Sequence, residues 1–134
     1  MKRKSIVAKR KANKTKQSVK DLKINKLYTE FRTKIYKNIK KENFALAVSG
    51  GSDSLCLAYF SKLYTSEFNN KIHILIVDHK LRKESAGEAL KVKKILKKKS
   101  IDSNILTWKG KIPKSNIQLK ARNIRYSLIS DFCI

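Results

Sequence analysis

Six small and polar residues at positions 49–54, Ser-Gly-Gly-Ser-Asp-Ser, constrain the fold of this chain more than any other feature. They follow the apolar run 44–48 and precede the apolar segment 55–60, where a helix is expected. A strand that turns through two glycines into a helix leaves backbone N–H groups open. It directs them, together with the positive end of the helix, at one point. The stretch therefore predicts a phosphate-binding turn in an α/β fold.

The loop 49–54 matches neither of two common phosphate-binding sequences, because it lacks both the Walker lysine and the G-x-G-x-x-G spacing. Its glycines allow close approach of the backbone, and its three hydroxyls are donors. The carboxylate of Asp53 suits a Mg²⁺ ion held between protein and phosphates. The alternative is an ordinary strand-to-helix turn in which Ser52 or Asp53 caps the helix. Strand, loop and helix together favour nucleotide binding.

Apolar periodicity divides the remainder of the chain into three segments. Residues 1–22 are basic and lack periodicity, which predicts a disordered arm. Apolar residues spaced three and four apart predict an N-terminal helix over 23–42. Residues 43–134 are predicted to form a partial nucleotide-binding domain. Its strands, at 44–48, 72–77 and 104–108, alternate with helices at about 53–65, 84–97 and 116–132. Such alternation predicts a three-stranded parallel sheet with crossover helices.

The net charge of +23, from 27 lysines and 6 arginines against 10 acids, favours a polyanionic partner, above all nucleic acid. The alternative is codon bias in an AT-rich genome, which also enriches lysine. Cys56 and Cys133 form no C-x-x-C pair and are expected to be reduced thiols. No apolar run is long enough to span a membrane and no signal core is present, so we expect a cytoplasmic protein with no membrane partner.

Three motifs in order resemble a known family. The loop 49–54 resembles the pyrophosphate-binding loop of the N-type ATP pyrophosphatases, or PP-loop family, whose fold is Rossmann-like, of the adenine nucleotide alpha hydrolase type. The segments 77–85 (V-D-H-K-L-R-K-E-S) and 116–126 (N-I-Q-L-K-A-R-N-I-R-Y) resemble motifs of one branch, the tRNA(Ile)-lysidine synthetases. The resemblance covers about residues 43–132. Lys80 stands where the family has glycine, so backbone strain is expected there if φ is positive.

This resemblance implies an ATP-dependent ligase that joins free L-lysine to the wobble cytidine of tRNA(Ile) through an adenylated base. It implies that ATP and Mg²⁺ are the cofactors, that Asp53 binds the metal, and that Asp53 and Arg122 are catalytic. Substrates would contact Arg82, Arg122 and Arg125. For Arg122 and Arg125 the alternative is a solvated helix face, and for His79 it is a histidine bonded to the backbone. The resemblance implies the following nucleotide-binding residues: Ser49, Gly50, Gly51, Ser52, Asp53, Ser54, Asp78 and His79.

The family pattern continues past Ile134 with a fourth strand, an H-x-D-D segment and tRNA-binding domains. The resemblance therefore implies a domain that is truncated relative to the family, with an unpaired edge at its first strand and a missing C-terminal half as a partner. Two alternatives stay open. One is a non-catalytic, basic RNA-binding remnant. The other is a different PP-loop tRNA-modifying enzyme such as a thiolase, which the missing C-x-x-C pair disfavours.

Overall fold

A computed structural model describes the backbone of residues 2–134 and the side chains of residues 21–134. Helices and strands alternate along the whole chain, and every helix and strand predicted after residue 40 is present, with boundaries that differ by a few residues. Among the described residues, no helix combines the length and the apolar character needed to cross a membrane. The elements are α1 Lys2–Ile39, β1 Phe44–Ala47, α2 Ser52–Phe68, β2 Ile72–Asp78, α3 Ser85–Lys97, β3 Ser103–Thr107 and α4 Ile117–Cys133.

Residues 1–40 form one compact unit, which consists of helix α1, and residues 41–134 form the other. The helix runs without a break through residue 22, where the sequence analysis ends a disordered arm. The first forty residues contain neither glycine nor proline, so no residue in this stretch interrupts a helical backbone. The disordered arm over residues 1–22 stays a prediction. The side chains of residues 1–20 lie outside the described part of the chain.

The second unit is built on a three-stranded parallel sheet with strand order β1-β2-β3. Ala47 is opposite Leu75 between β1 and β2, and Asp78 is opposite Thr107 between β2 and β3. The carboxyl ends of all three strands therefore lie along one edge of the sheet. In the part of the chain that the structure describes, β1 has only one neighbouring strand, as the sequence analysis predicts.

Helices cover both faces of the sheet. Side chains of β2 alternate between the two faces, so each face carries residues that a helix covers. Ile74 packs in the core with Ala58 of α2 and Val92 of α3. On the opposite face, the ring of His73 contacts Phe132 of α4, with ring centroids 5.6 Å apart. Central residues of β2 are buried, as its near-continuous apolar sequence predicts. The architecture is the predicted Rossmann-like α/β fold.

Candidate nucleotide-binding site

The loop 49–54 connects β1 to α2 and depends on glycine at its second position. Gly50 has a φ of 93°, a conformation that residues with a Cβ rarely adopt. A Cβ at this position would also overlap the Cγ2 atom of Val92 on α3. Gly51 differs, because its φ of −68° suits any residue and a Cβ would meet only the Ser49 hydroxyl, at 3.9 Å. Gly50 therefore brings the loop close to α3, and Gly51 leaves open space above the turn.

Backbone N–H groups at the start of α2 are open to a ligand. Gly51 is the N-cap residue, and no side chain caps the helix, so the alternative in which Ser52 or Asp53 caps it does not occur. Within residues 21–134, the N–H groups of Gly51, Ser52 and Asp53 donate to no protein acceptor. Open amides at the positive end of a 17-residue helix attract anions.

Ser54 shapes the loop from within. Its Oγ accepts a hydrogen bond from the Gly50 N–H at 3.2 Å and donates one to the Gly51 carbonyl at 3.0 Å. The Ser49 hydroxyl donates to the Ser54 Oγ at 3.3 Å. The Gly50 amide and the Ser54 proton are therefore engaged inside the loop, and the donors left for a ligand come from the three residues that follow Gly50.

A cavity of about 390 Å³ lies beside this loop at the carboxyl ends of β1 and β2. Ligands of open α/β sheets bind at this edge, and the volume lies within the range of small-molecule sites. Helices on both faces of the sheet contribute to the cavity wall, because α3 and α4 pack on opposite faces and each supplies lining residues. The polar residues among those that line the cavity are Ser49, His79, Arg82, Ser85, Glu88 and Arg125.

Arginine side chains make the cavity cationic. Arg82, in the loop before α3, donates from Nη2 to the Glu88 carboxylate at 2.9 Å, and both side chains are more than half exposed. Arg125 reaches the cavity from α4. Guanidinium groups match phosphate and carboxylate oxygens in geometry and charge. Two arginines and one carboxylate thus give the side chains that line the cavity a net positive charge.

His79 is both bonded to the backbone and part of the cavity wall. Its Nδ1 accepts a hydrogen bond from the Leu81 N–H at 3.2 Å, and the Ser85 hydroxyl lies 3.5 Å from the same nitrogen. A nitrogen that accepts this bond carries no proton, so this assignment places the ring proton on Nε2. Ser85 is only 5% exposed and was not predicted as a site residue. Its signal was the Glu-Ser pair that ends the motif 77–85.

Asp78 belongs to the turn after β2 and does not line the cavity. It is 3% exposed, and its Oδ1 accepts a hydrogen bond from the Lys80 N–H at 3.1 Å. Its carbonyl accepts another from the Trp108 N–H at 2.9 Å, which joins the ends of β2 and β3. Lys80 has a φ of 53°, so the expected positive φ is confirmed, here with a lysine.

Asp53 and Arg122 also lie outside the cavity wall. Asp53 is exposed in the first turn of α2, next to the open amides. The guanidinium carbon of Arg122 lies 5.5 Å from the ring centroid of Tyr126, one turn further along α4. The structure thus brings Ser49, His79, Arg82 and Arg125 together around one space. It places Asp53 beside that space in the loop, and Arg122 on the ring of Tyr126.

A sequence profile described as the PP-loop domain matches residues 21–134. The chain belongs to the PP-loop family. Among curated relatives, this PP-loop domain is similar to tRNA(Ile)-lysidine synthases. That of Bartonella quintana is 45% identical over 86 residues, which are 63% of this chain and 18% of the relative. That of Orientia tsutsugamushi is 39% identical over 89 residues, 66% of this chain and 20% of the relative.

A third relative, the tRNA(Ile)-lysidine synthase of Rickettsia akari, is 32% identical over 111 residues, which are 81% of this PP-loop chain. The same 111 residues are 26% of that relative. The chain therefore spans about a fifth to a quarter of the length of the curated relatives that it matches. Among solved structures, the U34-tRNA thiolase NcsA from Methanococcus maripaludis with its [4Fe-4S] cluster superposes with a TM-score of 0.59 and 20% identity. The match covers 75% of this chain and 39% of the thiolase, and confirms the fold.

Proposed function

We propose that this PP-loop domain binds ATP and forms the adenylating part of an enzyme that modifies tRNA. The observation that carries the proposal is the open set of N–H groups at Gly51, Ser52 and Asp53 beside a cavity lined by Arg82 and Arg125. A polyphosphate needs many donors and compensating positive charge at one place, and the loop and cavity together offer both. The names of the curated relatives support the tRNA part of the proposal.

Asp53 fits the role of a magnesium ligand. The described residues contain no group of three or more His, Cys, Asp or Glu side chains that would hold a metal without a substrate. Magnesium is typically bound by one or two carboxylates together with substrate phosphates and water. The exposed carboxylate of Asp53 lies in the first turn of α2, beside the amides proposed to hold the phosphates. Bound there, the ion would neutralise charge on the polyphosphate.

Within this proposal, the reaction is lysidine formation on tRNA(Ile). The C2 carbonyl oxygen of the wobble cytidine attacks the α-phosphorus of ATP and releases pyrophosphate. The amine of L-lysine then attacks C2 and displaces AMP. The residues of the domain position and stabilise these groups, because in-line attack depends on orientation and on charge compensation. Arg82 and Arg125 line the cavity in which the polyphosphate would lie. Arg122 on α4 would stabilise charge on the adenylated intermediate, the role that the family resemblance implies for it.

Titration calorimetry with ATP tests the nucleotide site. We expect ATP to bind in the presence of Mg²⁺ and AMP to bind more weakly, because AMP lacks the phosphates that the open amides hold. Asp53→Asn should reduce ATP affinity in Mg²⁺ by about tenfold, since it removes one charged contact to the ion. Asp131→Asn is the matched control, an exposed carboxylate in the last turns of α4, and should bind like wild type. Equal affinities for ATP and AMP would contradict the proposal.

A chimaeric enzyme tests the reaction. This chain would replace the corresponding segment of the Bartonella quintana tRNA(Ile)-lysidine synthase, and incorporation of radiolabelled lysine into tRNA(Ile) would be measured. We expect incorporation that depends on ATP and is lost in a second chimaera carrying Asp53→Ala. A folded chimaera that binds ATP and transfers no lysine would show that lysidine formation is not the reaction.

The net charge of +23 favours a second candidate, a basic RNA-binding protein without catalysis. This candidate predicts tRNA binding that is indifferent to ATP and unchanged by Gly50→Ala or Asp53→Asn. A thiolase is the third candidate, the other PP-loop tRNA-modifying enzyme that the sequence analysis leaves open. Its reaction would introduce sulfur rather than lysine, so mass spectrometry of the tRNA product distinguishes the two enzymes.

A further inference from the structure

We propose that three exposed lysines, Lys91 and Lys94 on α3 and Lys98 at its C-cap, bind the phosphate backbone of RNA. We call these residues the lysine row. The identification of the RNA as tRNA rests on the proposed function, whereas the surface itself is assigned from its charge and geometry. Nothing in the phosphate loop or in the cavity accounts for these three side chains.

The lysine row lies on the side of α3 that faces away from the sheet. Residues spaced three and four apart share one side of a helix, so positions 91, 94 and 98 line up along it. The side packed on the core carries Ala89, Val92 and Leu96, all buried. All three lysines of the row are exposed. The row extends for about 10 Å along the helix axis, at 1.5 Å per residue.

Positive charge around the row is not compensated. Residues 89–101 contain six lysines and no acid. The first acid after them is Asp102, which accepts a hydrogen bond from Lys97 at 2.7 Å. This bond and the charge of Lys97 lower the pKa of Asp102, and the charges of Lys62 and Lys93 lower it further. Asp102 is therefore engaged with Lys97, and Glu88, three residues before Lys91 on the same helix, is engaged with Arg82. Within residues 21–134, the lysines of the row form no ion pair.

Such crowding costs stability in the isolated domain. Lys91 and Lys94 are spaced three apart and Lys94 and Lys98 four apart, and like charges at these spacings destabilise a helix. The helix dipole favours lysines only in the last turn, so it does not account for Lys91. A polyanion held along the row relieves this repulsion. Flexible lysine side chains suit a partner in which phosphates repeat and base identity is not read.

The position of α3 connects the row to the candidate site. Ser85, Glu88 and Val92 of this helix line the cavity, and Lys91 directly precedes Val92. The row lies on the outer side of this helix, whose sheet-facing side lines the cavity, and it extends toward the opposite edge of the sheet, where α3 ends at Lys97. A helix with its side chains is about 10–12 Å across, so an RNA bound along the row would lie within reach of the cavity.

A matched pair of triple variants tests the proposal. One variant is Lys91→Gln/Lys94→Gln/Lys98→Gln. The control is Lys109→Gln/Lys111→Gln/Lys114→Gln, which removes the same charge from exposed lysines in the loop after β3. Binding of an unmodified tRNA(Ile) transcript to the full chain is measured by fluorescence anisotropy between about 50 and 200 mM salt, the range over which phosphate contacts change affinity steeply. Circular dichroism melts establish that each variant is folded.

For the row variant we expect the slope of log affinity against log salt to fall in magnitude by about 2 to 3, or 0.7–0.9 per lost phosphate contact. Affinity at the lowest salt should fall by about tenfold or more. The loop control should change the slope by less than half as much. Equal losses in both variants would mean that binding follows net charge alone, and an unchanged slope in the row variant would exclude the row; either result overturns the proposal.

ATP affinity, measured on the same proteins, separates this proposal from the proposed function. Both triple variants should bind ATP like wild type, because none of the substituted residues lies in the loop 49–54 or lines the cavity. If wild type binds no ATP and the row variant still loses its salt-dependent RNA binding, the nucleotide proposal fails and the RNA surface stands. The reverse pattern would leave the nucleotide site and remove the RNA surface.

Discussion

Gly50 illustrates how one residue joins backbone conformation to packing. Substitution by alanine introduces a Cβ at a φ of 93° and an overlap with Val92. We expect Gly50→Ala to lower the free energy of unfolding by about 2 kcal/mol or more, from the backbone strain and the overpacking together. Urea denaturation monitored by circular dichroism measures this change. ATP binding should weaken as well, because the loop moves away from α3.

The neighbouring glycine provides the control for this prediction. Gly51→Ala places a Cβ in open space at an ordinary φ, so the free energy of unfolding should fall by less than about 1 kcal/mol, a value typical of N-cap changes. Equal destabilisation by the two substitutions would show that Gly50 has no special role. The double variant Gly50→Ala/Val92→Ala should recover part of the loss, since it removes the overlap and leaves the strain.

Lys80 is a second residue at which the backbone conformation has a measurable cost. Its φ of 53° costs a residue with a Cβ about 1–2 kcal/mol, and glycine costs about 0.5–1 kcal/mol through the entropy of the unfolded chain. We therefore expect Lys80→Gly to raise the free energy of unfolding by about 0.5–1 kcal/mol in urea denaturation. Lys83→Gly, at a position without positive φ, should lower it. Destabilisation by both substitutions would contradict the strain argument.

At the scale of elements, α4 is attached to the sheet by a small set of contacts. Ile124, 8% exposed, is its one buried residue, and the next residue, Arg125, lines the cavity. We expect Ile124→Ala to lower the free energy of unfolding by about 2–4 kcal/mol, and to weaken ATP binding by displacing Arg125. Leu119→Ala, on the same helix but 59% exposed, should change stability by no more than about 0.5 kcal/mol. Chemical denaturation and calorimetry together measure both effects, and similar losses in the two variants would contradict this account of α4.

At the scale of the whole molecule, the charge of +23 makes stability depend on salt. We expect the melting temperature to rise between about 0.01 M and 0.15 M sodium chloride, as the Debye length falls from about 30 Å to about 8 Å and screens the repulsion among lysines. Differential scanning calorimetry measures the shift. The variant lacking the lysine row should melt at a higher temperature than wild type at low salt and respond less to added salt. A melting temperature that is constant or falls with salt would exclude self-repulsion as a significant term.

Local pattern alone was sufficient to predict the elements of residues 41–134. The alternation of strand and helix periods, the two glycines at 50 and 51 and the near-continuous apolar run of β2 are properties of neighbouring residues, so they can be read without tertiary contacts. The unpaired edge at β1 and the possibility of a positive φ at residue 80 came instead from the family resemblance. The disordered arm that the lack of apolar periodicity predicts over residues 1–22 stays a prediction, because the side chains of residues 1–20 lie outside the described part of the chain.

The chemistry of the loop 49–54 was determined by the sequence, because a turn of two glycines between a strand and a helix exposes amides whatever surrounds it. Which side chains meet those amides was decided only by the tertiary structure. Arg125 lines the cavity whereas Arg122, three residues earlier, packs on Tyr126, and Ser85 lies near His79. These outcomes depend on how α3 and α4 pack on opposite faces of one sheet. Contacts between residues distant in sequence leave no local periodic signal.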